Sequence, residues 1–299
     1  MDFAASLRKA LPQIEILENE PLSLHTSFRI GGPARVLALP KNEAETAALV
    51  RFAGENAVPL RLLGGGSNVL VSDEGINALV VHLPAGQITV EGNEITAGAG
   101  AGKAYLAQTA ANAGLAGLEF AHGIPGTVGG GVRMNAGAYG GEMAQVVRSV
   151  TALDGEGNLK EFDKGALSFG YRHSFFSDHP EYIVLSARFA LKPDEKDAIL
   201  ARMHDLAARR KEKQPLEYPS AGSVFKRPVG FFAGKLIEDA GLKGYAIGGA
   251  QVSEKHAGFI INRGGATAKD VLALVRHIQK TVREKFGQTL DCEIEIWQN

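Results

Sequence analysis

Apolar residues along this chain keep two periods, and the places where one gives way to the other set out most of its elements. From Asn42 to Ala57 they recur at helical spacing behind an Asn42–Glu45 pair with capping-box spacing, which predicts a helix. The apolar runs Arg35 to Leu39 and Leu60 to Leu63 flank it and end in Pro or Gly, so the front of the chain reads as a β-α-β unit. Ala78 to Leu83 is a further strand, Ile88 to Val90 and Ile95 to Ala97 form a hairpin around Gly92-Asn93, and Lys103 to Ala113 is a helix. Strands follow at Val146 to Leu153, Leu159 to Phe162 and Tyr182 to Leu191, with a turn at Asp154-Gly155. Pro193 opens a helix that runs to about Lys213, after which Pro215, Pro219 and Gly222 mark a change of composition. Beyond it come a helix from Phe231 to Ala240, a strand from Gly258 to Ile261, a helix from Thr267 to Phe286 and a last strand from Thr289 to Trp297.

At 299 residues the chain has room for about two domains of roughly 150 residues each. A net charge of -1 gives no global field that would draw it to nucleic acid or to an acidic membrane. The longest run of small residues, Ile95 to Ala121, is interrupted by Lys103, Gln108, Asn112 and Glu119, and no membrane helix is expected. One cysteine, Cys292, precludes an intramolecular disulfide and any Cys-rich metal site, and the eight histidines show no metal-ligand spacing. With no signal-peptide pattern at the start, the chain reads as cytoplasmic, with a monomer favoured.

Glycine alone departs from the ordinary: 37 residues, against a usual frequency of about 7%. Much of it lies in three clusters, Gly64 to Asn68, Gly98 to Gly102, and Gly123 to Gly140, each expected to interrupt regular structure. Loops of this kind aim backbone N–H groups into one concavity and grip phosphate oxygens, so several of them suggest a diphosphate ligand. The familiar fingerprints do not fit. Val69 occupies the last glycine place of a dinucleotide motif, and GAGAGK has Ala97 and Ala104 where a P-loop needs Gly and Ser or Thr.

Seven segments in order resemble one family, the UDP-N-acetylenolpyruvoylglucosamine reductases (UDP-N-acetylmuramate dehydrogenases, MurB). They are TSFRIGGPA from Thr26, LGGGSNVLVSD from Leu63, GIPGTVGGGVRMNAGAYGGEM from Gly123, YRHSFF from Tyr171, PSAGSVFKRP from Pro219, AGKLIEDAGLKG from Ala233 and GGAQVSEKHAGFIIN from Gly248. The resemblance covers nearly the whole chain and is to the shorter of the family's two types, without the extra tyrosine-bearing loop. It implies an α+β protein. Residues 1–192 would be an FAD-binding domain of the vanillyl-alcohol-oxidase (PCMH) type, made of two α+β subdomains split near residue 75. Residues 193–299 would be an α+β substrate-binding domain whose last strand returns to the active site.

The implied reaction uses non-covalent FAD and NADPH as co-substrate to reduce UDP-N-acetylglucosamine enolpyruvate to UDP-N-acetylmuramate. FAD would lie on Gly64, Gly65, Gly66, Ser67, Asn68, Gly123, Ile124, Gly126, Thr127, Gly130 and Tyr139. Ser223 matches the family's proton donor, although a serine in a turn most often only caps backbone. Arg172 and Glu293 match the groups that stabilise the enolate; strand alternation cannot separate Glu293 from Glu295, and the resemblance favours Glu293. Tyr171, Lys213, Arg227, Lys243 and His256 are carried over as substrate contacts. Departures from the family stand at Gly131 and Arg133, where it more often has Ala and an uncharged residue, at His122 before Gly123, and at Glu295, where it often has Arg. An oxidase on the same flavin fold, or a silent UDP-sugar-binding module, are the competing readings; the second predicts loss of Arg172, Ser223 or Glu293, and all three are present.

Overall fold

The computed structural model describes residues 3–299, which divide into two compact units. The first holds the described residues through Glu18 with Val36–Gly65 and Ala78–Arg210; the second holds Asn19–Arg35, Gly66–Asn77 and Lys211–Asn299. The division therefore falls at the end of a helix, Lys196–Lys213, rather than before it, and two early segments belong with the C-terminal part.

The first unit is built on a five-stranded sheet in the order Leu159–Asp163, Val147–Leu153, Ile183–Ala190, Glu94–Gly98, Ile88–Glu91, with every neighbouring pair antiparallel. The hairpin at Gly92-Asn93 is as read from sequence, and Gly92 supplies the left-handed turn at φ +59. Against the sheet lies the helix Lys103–Asn112, which buries Lys103, Leu106, Ala107, Ala110 and Ala111, one stripe at helical spacing. The helix Glu43–Glu55 is capped by Asn42, whose side chain accepts the Glu45 N–H at 2.9 Å. Glu45 answers by accepting the Lys41 N–H at 2.7 Å, one residue earlier than in a standard box. The two strands that helix joins are not neighbours. The sheet order is Glu15–Pro21, Pro33–Leu39, Ile76–His82, Leu60–Leu63, with Ile76–His82 inserted and parallel to Leu60–Leu63.

In the second unit a four-stranded antiparallel sheet runs Ser220–Ser223, Phe259–Asn262, Ala250–Val252, Ala246–Ile247. The helix Ala268–Phe286 packs Ala268, Val271, Leu274, Val275, Ile278 and Val282 into one core with Leu236, Ile237, Val224 and Phe225. Thr267 and Asp270 form its capping box, and Gly287 ends it at φ +67.

Three expectations are corrected. The last strand is only Glu295–Trp297, paired in parallel with Val69–Val71, and Asp291 to Glu293 is a separate stretch whose bonds go to Val224 and Lys226. Burial there falls on Leu290, Ile294 and Trp297, so two-residue alternation does not hold and Glu293 and Glu295 do not share a strand face. Pro193 does not open the following helix; with Lys192 it pairs with Leu115 and Ala116, and the helix begins at Lys196. The third glycine cluster is not all loop: Val128–Arg133 is helical straight through Gly129, Gly130 and Gly131. There the glycines serve close packing, since a Cβ at Gly129 would stand 2.8 Å from Ala99 Cβ.

Candidate active site

The first unit brings the three glycine clusters together. A Cβ on Gly65 would lie 2.7 Å from Gly126 Cα, and one on Gly64 would lie 2.5 Å from Thr127 Oγ1, so the turns after Leu63 and Gly123 meet backbone to backbone. Gly126, at φ +104, holds a conformation that side chains disfavour. The third cluster joins through hydrogen bonds: Lys103 N–H donates to Gly126 O at 3.1 Å, Val128 N–H to Ala101 O and Gly129 N–H to Ala99 O, both at 2.8 Å. Among the described residues the amides of Gly65, Gly126 and Thr127 donate to no protein acceptor, and Thr127 Oγ1 is buried without a partner. Idle donors beside an orphaned hydroxyl, on loops where no side chain fits, suit a ligand with several acceptor oxygens such as a dinucleotide's diphosphate. Gly130 stands one turn further along the helix, and Ile124 packs into the core.

Next to these loops the chain is held in strained backbone. Asn135, Tyr139 and Arg172 all have positive φ, at +42, +55 and +54. Asn135 is 1% exposed; its Nδ2 donates to Gly170 O at 2.8 Å and its Oδ1 accepts the Ala144 N–H at 2.9 Å, which ties the Tyr139 turn to the Arg172 turn. The latter is closed by bonds between Gly170 and His173, and Arg172 Nη2 donates to Gly137 O at 3.2 Å. The Arg172 guanidinium lies 5.2 Å above the exposed Tyr171 ring. Arg210 packs on the glycine loop, 3.2 Å from where a Gly123 Cβ would be; burial lowers its pKa, and the Tyr139 phenol bears on it in the opposite sense. Lys103 is 5% exposed, and burial, then the positive charges of Arg210 and Arg172, push its pKa down to about 8.

The second unit assembles Ser223, Glu293 and Asn68. Ser223 follows Gly222, φ +80, at a bulge in the pairing with Phe259–Asn262. Beyond the bulge, Glu293 N–H donates to Val224 O at 2.7 Å and Lys226 N–H to Asp291 O at 2.8 Å, so the carboxylate-bearing segment runs beside the serine's own strand. Asn68 clamps it: Nδ2 donates to Glu293 O at 3.1 Å while Asn68 O accepts the Glu295 N–H at 2.8 Å. The Asn68 side chain is thus spent on positioning Glu293. Ser223 Oγ makes one long bond, 3.3 Å to Phe225 O. Gly66, at φ +57, would put a Cβ 2.1 Å from His25 O, and its carbonyl accepts the Ser27 N–H at 3.0 Å; Ser67 continues the same loop.

The remaining carried-over contacts in this unit are less convergent. His256 Nδ1 accepts the Gly258 N–H at 3.1 Å, and its pKa is lowered chiefly by burial. Lys243 ion-pairs with Glu238 at 2.8 Å, close enough to His256 for both charges to act on it. Arg227 lies over the Phe232 ring at 4.5 Å, and Lys213 is exposed at a helix end. Sequence reasoning missed Asn135, Arg210 and Lys103. Only Lys103 left a signal, as a lysine in the apolar stripe of a helix.

Known proteins resemble this chain along its length. A family model described as "FAD binding domain" matches residues 34–163, and one described as "UDP-N-acetylenolpyruvoylglucosamine reductase, C-terminal domain" matches residues 214–297. The UDP-N-acetylenolpyruvoylglucosamine reductase of Pediococcus pentosaceus is 50% identical over 292 residues, covering 97% of each chain. That of Caldanaerobacter subterraneus subsp. tengcongensis is 51% identical over 291 residues, 97% of this chain and 96% of the relative. The crystal structure of the Thermus caldophilus enzyme superimposes with a TM-score of 0.81 at 39% identity, over 95% of this chain and 99% of that one.

Proposed function

Because this chain belongs to the UDP-N-acetylenolpyruvoylglucosamine reductase family and carries an FAD-binding domain, we propose that it reduces the enolpyruvyl double bond of UDP-N-acetylglucosamine enolpyruvate, giving UDP-N-acetylmuramate for peptidoglycan precursor synthesis. It is an FAD-containing oxidoreductase. When bound, FAD supplies the hydride, taken in turn from NADPH, and the loops of Gly64 to Gly66 and Gly123 to Thr127 would hold its diphosphate.

Hydride addition to one alkene carbon leaves negative charge beside the carboxylate, and a proton must reach the neighbouring carbon. Arg172, anchored on Gly137 O, holds that carboxylate and faces the developing enolate with a charge that cannot titrate away. Ser223 delivers the proton from Oγ; its single long bond lets the hydroxyl turn toward a substrate atom at little cost. Glu293 is the second residue assigned to stabilising the enolate. What carries this reading is the 2.7 Å bond from Glu293 N–H to Val224 O, which supports a fixed spacing between carboxyl and serine.

The test is anaerobic stopped-flow absorbance on Ser223→Ala. NADPH should bleach the flavin at the wild-type rate, while reoxidation by the enolpyruvyl substrate should fall at least about a hundredfold, as for loss of a general acid. Unchanged reoxidation would remove Ser223 from the mechanism.

A further inference from the structure

Between Arg133 and Gly137 every second residue reaches across to the segment that carries Arg172. Arg133 O accepts the Ser174 hydroxyl at 2.8 Å and the Ser177 hydroxyl at 2.9 Å, and the Arg133 guanidinium donates to Phe176 O at 2.6 Å. Asn135 Nδ2 donates to Gly170 O at 2.8 Å, and Gly137 O accepts from Arg172 Nη2 at 3.2 Å. Arg172 is therefore held at both ends by one short stretch, its turn at Gly170 and its guanidinium at Gly137. The turn has little hold of its own. Its φ of +54 is one that an arginine disfavours, and it is closed only by two backbone bonds between Gly170 and His173, at 3.0 and 3.3 Å. Asparagine meets three conditions at position 135 together. It tolerates the left-handed backbone there, φ +42; its amide nitrogen donates to Gly170 O; and its amide oxygen accepts the Ala144 N–H at 2.9 Å, a first-turn donor with no partner inside the helix Met143–Val146.

A buried amide engaged at both ends specifies one arrangement of the backbone it joins, because any other leaves a polar group unpaired away from water. We propose that Asn135 is a positioning residue for reduction of the enolpyruvyl substrate: it holds the Arg172 turn in its left-handed conformation and so aims the guanidinium at the substrate's carboxylate. The proposal rests on the role given to Arg172 above. Asn135 acts through Arg172 rather than on the substrate, since its side chain is closed from solvent and bonded to Gly170 and Ala144. Without it, the Gly170–His173 pair alone keeps a conformation that arginine readily leaves, and the guanidinium spends less time where the carboxylate and the developing enolate require it. In that reading Arg172 serves the substrate and not NADPH, so the effect falls on one half-reaction.

The experiment times the two half-reactions of the holoenzyme separately under anaerobic conditions, flavin reduction by NADPH and reoxidation by UDP-N-acetylglucosamine enolpyruvate. Asn135→Asp keeps the left-handed backbone and the bond from the Ala144 N–H but sets an acceptor against Gly170 O, while Asn135→Gly removes the side chain and adds no charge. Both should bleach with NADPH at the wild-type rate and reoxidise at least about tenfold more slowly, within the roughly hundredfold that a displacement of about 1 Å can cost. In an Arg172→Ala background neither substitution should slow reoxidation further, because a residue that acts through Arg172 then has nothing to position. A merely structural role would not give that result, since its cost would multiply with the loss of the arginine. Wild-type reoxidation in either variant would overturn the proposal, as would equal slowing of both half-reactions or a further slowing in the double variants. Loss of FAD from both variants would overturn it too, since Asn135 would then serve the fold as a whole. Arg172→Ala by itself is the separate arm: wild-type reoxidation there would sink the reading of Arg172, whatever Asn135 does.

Discussion

Replacing Lys103 by methionine should make the protein more stable at neutral pH. Methionine matches the unbranched stem that fills the gap beside Gly131, so the packing term is small. What changes is the charge. Lys103 is pushed from an ordinary 10.5 down to about 8, a difference of about 2.5 units, and at about 1.4 kcal/mol per unit the folded state at pH 7 bears a penalty of about 3 kcal/mol that methionine removes. The sign follows from proton counting: between about 8 and 10.5 the unfolded chain keeps a proton on this lysine that the folded chain has lost, so wild-type stability rises with pH across that window. The advantage of Lys103→Met should therefore shrink to about 1.5 kcal/mol at pH 9.5 and vanish above the upper limit. Urea unfolding at fixed FAD, read by far-ultraviolet circular dichroism at pH 7 and 9.5, measures it as a shift of the midpoint at constant slope. A variant less stable than wild type at pH 7, or an advantage equal at both pH values, would refute the reasoning.

Gly65→Ala puts a methyl group 2.7 Å from Gly126 Cα with backbone on both sides, so the two loops must part; FAD affinity by fluorescence quenching should fall more than about tenfold and overall stability by about 1–3 kcal/mol. Glu293→Gln and Glu295→Gln separate the two carboxylates that the sequence leaves paired. Reoxidation by substrate should collapse in the first and persist in the second, because Glu293 lies beside the Val224 segment whereas Glu295 belongs to the strand on Val69–Val71. The reverse result would exchange their roles.

Much of the fold was legible in local pattern. Where a segment meets one face of its own core, as in the hairpin around Gly92-Asn93 or the stripe from Val271 to Val282, period and capping residues suffice to name the element. They do not suffice where the partner is remote. Nothing in Leu60–Leu63 announces that Ile76–His82 will lie between it and Pro33–Leu39, and nothing in the alternation of Asp291 to Trp297 shows that the chain changes partners midway, from Val224 and Lys226 to Val69–Val71.

The site divides in the same way. Composition pointed to the glycine loops, because a diphosphate's many acceptor oxygens call for a residue type that local sequence records directly, whereas Arg172, Ser223 and Glu293 were proposed only through the family resemblance, since a lone arginine, a serine in a turn or one of two nearby glutamates carries no local mark of its role. Only tertiary structure decided that Gly129 and Gly131 are helical and small for packing, that Asn68 spends its side chain on Glu293, and that Lys243 is paired with Glu238. It also decided that Arg210, more than a hundred residues along the chain, bears on Lys103. Burial and electrostatic neighbourhood depend on distance through space and on the water excluded from it, and neither quantity is written along the chain.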